Sequence, residues 1–294
     1  MPIVSVFIRL LPALFAAFLF CACPQDCLSA VRFPVRAAIL YNMTTGRILY
    51  ELNPRLGIPP ASLTKVMTLD LALDQVERGR ISLKKRVRIS RNAARTGGSS
   101  MRLRYGERVP FAKLLYGTAV PSGNDAATAV AEVVQPNLRK FVQMMNARAR
   151  VLGMRNTVFC NPTGLPAKGQ TTTVRDMLKL SLSYLRRHPE ALKYHKTATF
   201  THGGRVLTTT NPLLGSVCGV YGLKTGWTKA SGYNIIVTAK RDSVRLICVI
   251  MGGRSRVGRD VTARKLIEAG FLAPNSPRQL RRVLEAREAR SKRR

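Results

Sequence analysis

Ser62 and Lys65 stand three residues apart in Ser62-Leu63-Thr64-Lys65, one residue after Pro59-Pro60 and at the head of an apolar stretch. Residues at i and i+3 share one helical face, so hydroxyl and amine can meet. A serine hydroxyl is a weak nucleophile until a base takes its proton, and a lysine is a base only when neutral. Burial beside an apolar helix favours the neutral amine, and so does a second nearby cation. A helix N-terminus also aims backbone N–H groups and a positive partial charge at incoming negative density. The chemistry on offer is acyl transfer through a covalent ester. Taken alone, the pair also reads as a plain capped helix.

Two further clusters add to it. Ser122-Gly123-Asn124 follows about 60 residues later, in a break between the helical stretches Phe111 to Val120 and Ala126 to Val134. A hydroxyl there can relay a proton to a leaving amine, and the Asn124 amide can hold a substrate backbone. Lys224-Thr225-Gly226 lies about 100 residues beyond, late in a strand. Gly226 lets a ligand approach the strand edge, while Lys224 and Thr225 offer cationic and hydroxyl contacts to a carboxylate. Lys224 is also a candidate for the second cation near Lys65. Each cluster alone is an ordinary turn or strand end; their order and contexts make the case. No pair of cysteines has metal spacing, and neither metal nor organic cofactor is expected.

The elements that must position these groups follow from local pattern. Ala37 to Tyr41 and Arg47 to Glu51 form a hairpin around Thr44-Thr45-Gly46. The helix from near Ser62 is apolar on nearly every side (Val66, Met67, Leu69, Leu71, Ala72, Leu73, Val76), which predicts burial. Asp125 reads as the cap of Ala126 to Val134. Leu138, Phe141, Met145, Ala149 and Leu152 make one stripe closed by Gly153. Thr173 and Asp176 form a capping-box pattern before Met177 and Leu180. Val220 to Thr225, Asn234 to Lys240 and Val244 to Met251 read as an antiparallel meander, and a last helix, Val257 to Ala269, ends at Gly270. The expected class is α/β (α+β): an antiparallel sheet built from both chain ends and flanked by helices. An all-helical subdomain is inserted over about residues 66–215.

Composition bounds the partners. The chain has 294 residues, 46% of them hydrophobic, enough for one large domain or two intimate subdomains. Its 49 Lys+Arg against 15 Asp+Glu give a net charge of +34. Nucleic acid is the first partner such a balance suggests. The cations are scattered along the whole chain, however, with no zinc-finger spacing, basic-region heptads or ribonucleoprotein motif, so no nucleic acid is expected. An anionic membrane face or wall polymer suits the charge better. Residues 78–95, rich in Arg and Lys with no acid, read as a solvated face, with an anion-binding patch as the rival. Leu10 to Cys23 is an apolar run of signal-peptide length, with Arg9 the only charge in the first 25 residues. Residues 1–30 are read as an export signal, an uncleaved anchor being the rival. Residues 31–273 then form the catalytic domain and 274–294 a solvated basic tail. Cys160, Cys218 and Cys248 remain; Cys248 sits in an apolar strand as an unreactive thiol, and a disulfide between two of the three stays open.

Together the three clusters are similar to the trio of penicillin-binding proteins and class A β-lactamases. From roughly Ala37 to Phe271 the chain resembles the D-alanyl-D-alanine carboxypeptidase family of low-molecular-mass penicillin-binding proteins. The resemblance is carried by Ala38-Ile39-Leu40-Tyr41-Asn42, Pro60 to Thr68, Ser122 to Ala127, Asn161-Pro162-Thr163-Gly164-Leu165 and Gly222 to Gly226. It implies a β-lactamase/DD-peptidase-like fold, with Ser62 the acylated nucleophile, Lys65 its proton acceptor and Ser122 the relay. Lys224 would anchor the terminal carboxylate, and Asn124, Thr225 and Gly226 would complete the substrate contacts. The oxyanion hole would use the N–H groups of Ser62 and Trp227. The implied partners are peptidoglycan stem peptides and, as covalent inhibitors, β-lactams; the implied location is the periplasm or cell-wall space.

The resemblance has departures. Only about 20 residues follow Phe271, so the β-rich second domain and membrane anchor of larger members are expected to be missing. That compact length resembles members that cleave cross-links as DD-endopeptidases, and leaves the choice of bond open. A class A β-lactamase needs a Glu between the second and third elements; between Val134 and Lys224 only Glu190 occurs, in what reads as a surface helix. A silent wall-binding module is disfavoured because every reactive side chain is present.

Overall fold

The computed structural model describes residues 31–292, so the expected export signal over residues 1–30 lies outside the described residues. In chain order the elements begin with β1 (Ala37–Asn42), β2 (Arg47–Leu52) and a 3-10 turn (Ala61–Thr64) running straight into α1 (Lys65–Glu77). Then come β3 (Arg86–Arg88), α2 (Arg91–Arg95), β4 (Arg108–Pro110), α3 (Phe111–Ala119), α4 (Asn124–Val134), α5 (Leu138–Val151) and α6 (Val174–Arg187). The chain continues through α7 (Leu192–Lys196), β5 (Thr199–His202), β6 (Arg205–Thr208), β7 (Val220–Thr228), β8 (Gly232–Arg241) and β9 (Val244–Gly253). It ends in α8 (Arg256–Leu272) and α9 (Pro277–Lys292).

The main sheet has the order β2-β1-β9-β8-β7 and is antiparallel throughout. It joins the two ends of the chain, as the strand patterns predict. Its strands read as unbroken apolar runs because both faces are covered. Ile39, Ile236 and Val249 pack with Val66, Met67 and Leu180 on the helical side. Leu40, Val237 and Cys248 pack with Ala263, Leu266 and Ile267 of α8 on the other. Strand register sets Ile39 opposite Val249, Val249 opposite Ile236, and Ile236 opposite Lys224. Lys224 therefore ends an apolar row, at the edge strand, on the face that looks toward α1.

Helix α1 is buried along Lys65 to Asp74, as its all-round apolarity predicts. Asp70 and Asp74 are held there by Arg148 of α5 (3.0 and 3.2 Å) and by Arg187 of α6. Removing one member of such a buried pair leaves an uncompensated charge and costs roughly 3–5 kcal/mol. These pairs lock the helix that follows the Ser62 turn.

Three local expectations are corrected. Asp125 does not cap α4, whose N-cap is Gly123. Its carboxylate accepts from Ser100 Oγ, Met101 N and Leu103 N and ties that loop down. Gly270 does not end the last sheet-packing helix, because α8 runs on to Leu272. Its value lies in close packing, since a Cβ there would come 2.8 Å from Leu246 and 2.9 Å from Leu40. The segment read as a solvated tail forms α9, which buries Leu280 and Leu284 beside α8. Cys160, Cys218 and Cys248 are all free thiols; Cys248 is buried, and burial pushes its pKa up. Among the described residues no helix is long and apolar enough to cross a membrane.

Candidate active site

Ser62 lies in the 3-10 turn and Lys65 at the first position of α1. In a 3-10 turn the side chains at i and i+3 eclipse, which brings Lys65 Nζ to 2.8 Å from Ser62 Oγ. Nζ also donates to Asn124 Oδ1 and to the Thr163 carbonyl, each at 2.7 Å. Both of those atoms are acceptors only. A neutral amine has two N–H donors and one lone pair, so these two contacts leave the lone pair facing the Ser62 hydroxyl. Burial pushes the Lys65 pKa well below the ordinary lysine value, the charge of Lys224 adds to the shift, and Asp125 opposes it.

The Asn161–Leu165 segment proves to be the clamp on this lysine. Asn161 Oδ1 accepts from Thr163 N, Thr163 Oγ1 and Gly164 N, which turns the Thr163 carbonyl toward Nζ. Thr68 Oγ1 donates to the Pro162 carbonyl at 2.7 Å and bolts the segment to α1. Gly164 has φ +82°, and a Cβ there would lie 1.8 Å from the Ala61 carbonyl oxygen. Only glycine lets this backbone pass so close to Ala61.

Ser122 sits in the break before α4 with φ +63°, a left-handed backbone that costs a non-glycine residue about 1–3 kcal/mol. Its Oγ is buried and has no hydrogen-bond partner among the described residues. Asn124, two residues on, accepts from Lys65 through Oδ1 and donates from Nδ2 to the Gly97 carbonyl at 2.6 Å. Ser62, Ser122, Thr225, Gly226 and Trp227 line one cavity of about 490 Å³. A Cβ on Gly226 would stand 2.9 Å from Ser62 N, so the glycine lets β7 press its backbone against the Ser62 turn. Trp227 is exposed at the rim, its ring 5.8 Å from Tyr233.

Lys224 is buried behind that wall, and its Nζ donates to the Thr225 carbonyl at 2.9 Å. Burial, then the charge of Arg259, pushes its pKa down to about 7. Beside it lies His195, whose pKa burial, then the Lys224 charge, pushes down to about 3. The neutral ring donates Nδ1–H to the Leu223 carbonyl at 2.8 Å and accepts from the Tyr184 hydroxyl at 3.0 Å. The sequence reading did not single out His195, Thr210, Arg256 or Arg259. The last three line the cavity, and Thr225 Oγ1 donates to Thr210 Oγ1 at 2.6 Å. Glu190 is exposed and does not line the cavity.

Comparison with known proteins agrees with this geometry. A family model described as D-alanyl-D-alanine carboxypeptidase matches residues 27–255. The D-alanyl-D-alanine carboxypeptidase DacF of Bacillus subtilis is 34% identical over 254 residues, covering 83% of this chain and 64% of that protein. The chain thus spans just under two thirds of that relative's length. A D-alanyl-D-alanine endopeptidase of Pseudomonas aeruginosa is 30% identical, covering 80% of this chain and 77% of that protein. Among solved structures, penicillin binding protein 5 from Haemophilus influenzae superposes with a TM-score of 0.80 at 34% identity, covering 82% and 72% of the two chains.

Proposed function

The chain belongs to the D-alanyl-D-alanine carboxypeptidase family, and on that premise we propose that it removes the terminal D-alanine from peptidoglycan stem peptides through an acyl-Ser62 intermediate. The observation that carries this reading is the Lys65 amine. It is fully buried, depressed in pKa and 2.8 Å from Ser62 Oγ, with its two N–H groups engaged elsewhere.

Neutral Lys65 takes the Ser62 proton as Oγ attacks the carbonyl carbon of the penultimate D-alanine. The N–H groups of Ser62 and Trp227 receive the oxyanion, since β7 lies against the nucleophile turn at Gly226. As the C–N bond breaks, the unpartnered Ser122 hydroxyl passes the proton from Lys65 to the leaving amine. A water then attacks the ester, giving its proton to Lys65, which returns one to Ser62. The terminal carboxylate meets the Thr225 hydroxyl and Arg259, in the field of Lys224. β-Lactams acylate the same serine. The substrate lies outside the cytoplasm, which accords with reading residues 1–30 as an export signal ahead of a catalytic domain over residues 31–273.

Labelled penicillin tests the reading. A covalent adduct on Ser62 is expected, and no adduct, or one that survives Ser62→Ala, overturns it. The similarity to an endopeptidase, of which the chain covers 77%, supports a second reading in which the same acyl transfer cuts cross-links. Free D-alanine from a pentapeptide marks the first reading, and monomers released from cross-linked dimers mark the second.

A further inference from the structure

The β5–β6 hairpin borders the cavity that holds Ser62. Val206, Leu207 and Thr208 of that hairpin form one wall of the active-site cavity, and Ser99 belongs to another. A second cavity, of about 720 Å³, is lined by His202, Gly203 and Arg205 of the same hairpin and by Ser100 and Arg102 to Tyr105 of the same loop. Hairpin and loop thus line both cavities, which lie on either side of them.

The second cavity is basic by construction. Arg102, Arg104 and Arg205 are exposed at it, and none makes a salt bridge to a carboxylate among the described residues. Its one acid, Glu107, is occupied: Oε1 lies 3.2 Å from His202 Nε2, and Oε2 accepts from Arg104 N at 3.0 Å. Arg102 and Arg104 alternate with buried Met101 and Leu103, whose N–H groups Asp125 holds. The loop is therefore tied down from behind, with both guanidinium groups left at the surface. Arg102 is held at φ +67°, a strained backbone of the kind found at functional sites. The twelve Lys and Arg of residues 78–113 are all exposed, and Glu107 is the only acid within that stretch. Gathering like charges is unfavourable until an anion arrives.

We infer that this cavity binds a carboxylate carried by the peptide substrate upstream of the cleaved bond, so that the enzyme prefers acidic peptides to neutral ones with the same D-alanyl-D-alanine end. The inference rests on the function proposed above. That reading puts the terminal carboxylate at Thr225 and Arg259, which leaves the groove between the hairpin and Ser99 for the rest of the peptide.

The test uses two synthetic peptides of equal length ending in D-alanyl-D-alanine, one with glutamate upstream and one with glutamine. The full chain at low salt is expected to favour the glutamate peptide in kcat/KM by about tenfold, as a charge-assisted contact would. Salt shrinks the preference. It falls toward one in Arg102→Ala/Arg104→Ala/Arg205→Ala, survives in the corresponding triple Lys variant, and shrinks in Arg205→Glu. A preference of one in the wild type, or one unmoved by both the triple Ala variant and Arg205→Glu, overturns the inference. Penicillin has no such extension, so acylation of Ser62 reports on the core site separately. Acylation with no peptide preference defeats the basic cavity alone, whereas wild type that neither acylates nor hydrolyses defeats the proposed function with it. If the triple Ala variant fails to acylate, Arg205→Glu decides.

Discussion

Lys65 Nζ stands 2.8 Å from Ser62 Oγ while its other two contacts, Asn124 Oδ1 and the Thr163 carbonyl, can only accept. With its pKa depressed by burial, the neutral amine keeps one lone pair for Ser62, and under the proposed mechanism it acts as the base. A general base is worth roughly 10²- to 10⁴-fold in rate, so Lys65→Met is expected to slow penicillin acylation by that order. Lys65→Arg gives no rescue, because a guanidinium stays protonated. Stopped-flow acylation rates check this, and a fast Lys65→Arg enzyme contradicts it.

The two buried lysines set opposite limbs of a pH profile. Lys65 works unprotonated, so kcat/KM rises as pH climbs through its depressed pKa. Lys224 works as a cation, and that contribution is lost as pH rises through about 7. A bell-shaped profile on a D-alanyl-D-alanine peptide follows, read as macroscopic values of a coupled pair. Lys224→Arg keeps its charge, so it is expected to remove the alkaline fall and retain the acid limb. An unchanged alkaline limb in that variant excludes Lys224 as its source.

Gly164→Ala tests the clamp beneath the nucleophile. The new methyl would collide with the Ala61 carbonyl at a backbone angle that disfavours any side chain. Left-handed strain of roughly 1–2 kcal/mol adds to overpacking of roughly 1–3 kcal/mol. We expect a lower Tm together with acylation slowed by at least about tenfold, since the Thr163 carbonyl moves off Lys65. Gly169→Ala shares the positive φ (+82°) but meets open space. It is expected to lower Tm less and to leave acylation near wild type.

Helix α9 is docked, and its docking is testable. Leu280 is fully buried against the α8 side of the sheet, and Leu284 nearly so. Truncating a buried leucine costs about 2–5 kcal/mol, so Leu280→Ala is expected to lower Tm and to speed trypsin cleavage within the Arg-rich helix. Penicillin acylation is expected to persist, because the helix does not line the active-site cavity. Proteolysis at the wild-type rate contradicts the docking.

Much of the site was legible because its groups are side chains whose chemistry depends on type and order. Ser62 with Lys65, Ser122 with Asn124, and Lys224 with Thr225 stand out for that reason. The β-branched runs betrayed the meander, and the all-round apolarity of α1 its burial. Other features left no such trace. The Thr163 carbonyl is backbone and looks the same in every residue. Arg259 is one cation among 49 Lys and Arg. Asp125 precedes a helix, as capping residues do, yet spends its carboxylate on a loop 22 to 25 residues back. Gly270 looks like a stop signal and acts as a packing gap.

The amino-acid order by itself determined which reactive groups exist, where they fall along the chain, and the periods of the helices and strands that carry them. Only the tertiary structure decided that Lys65 is buried with a depressed pKa. Its partners Asn124 and Thr163 lie 59 and 98 residues away, and the cation that depresses it further sits on β7. A lysine's proton affinity is set by the solvent it loses and the charges brought near it. Both are properties of packing, which no local stretch of this chain contains.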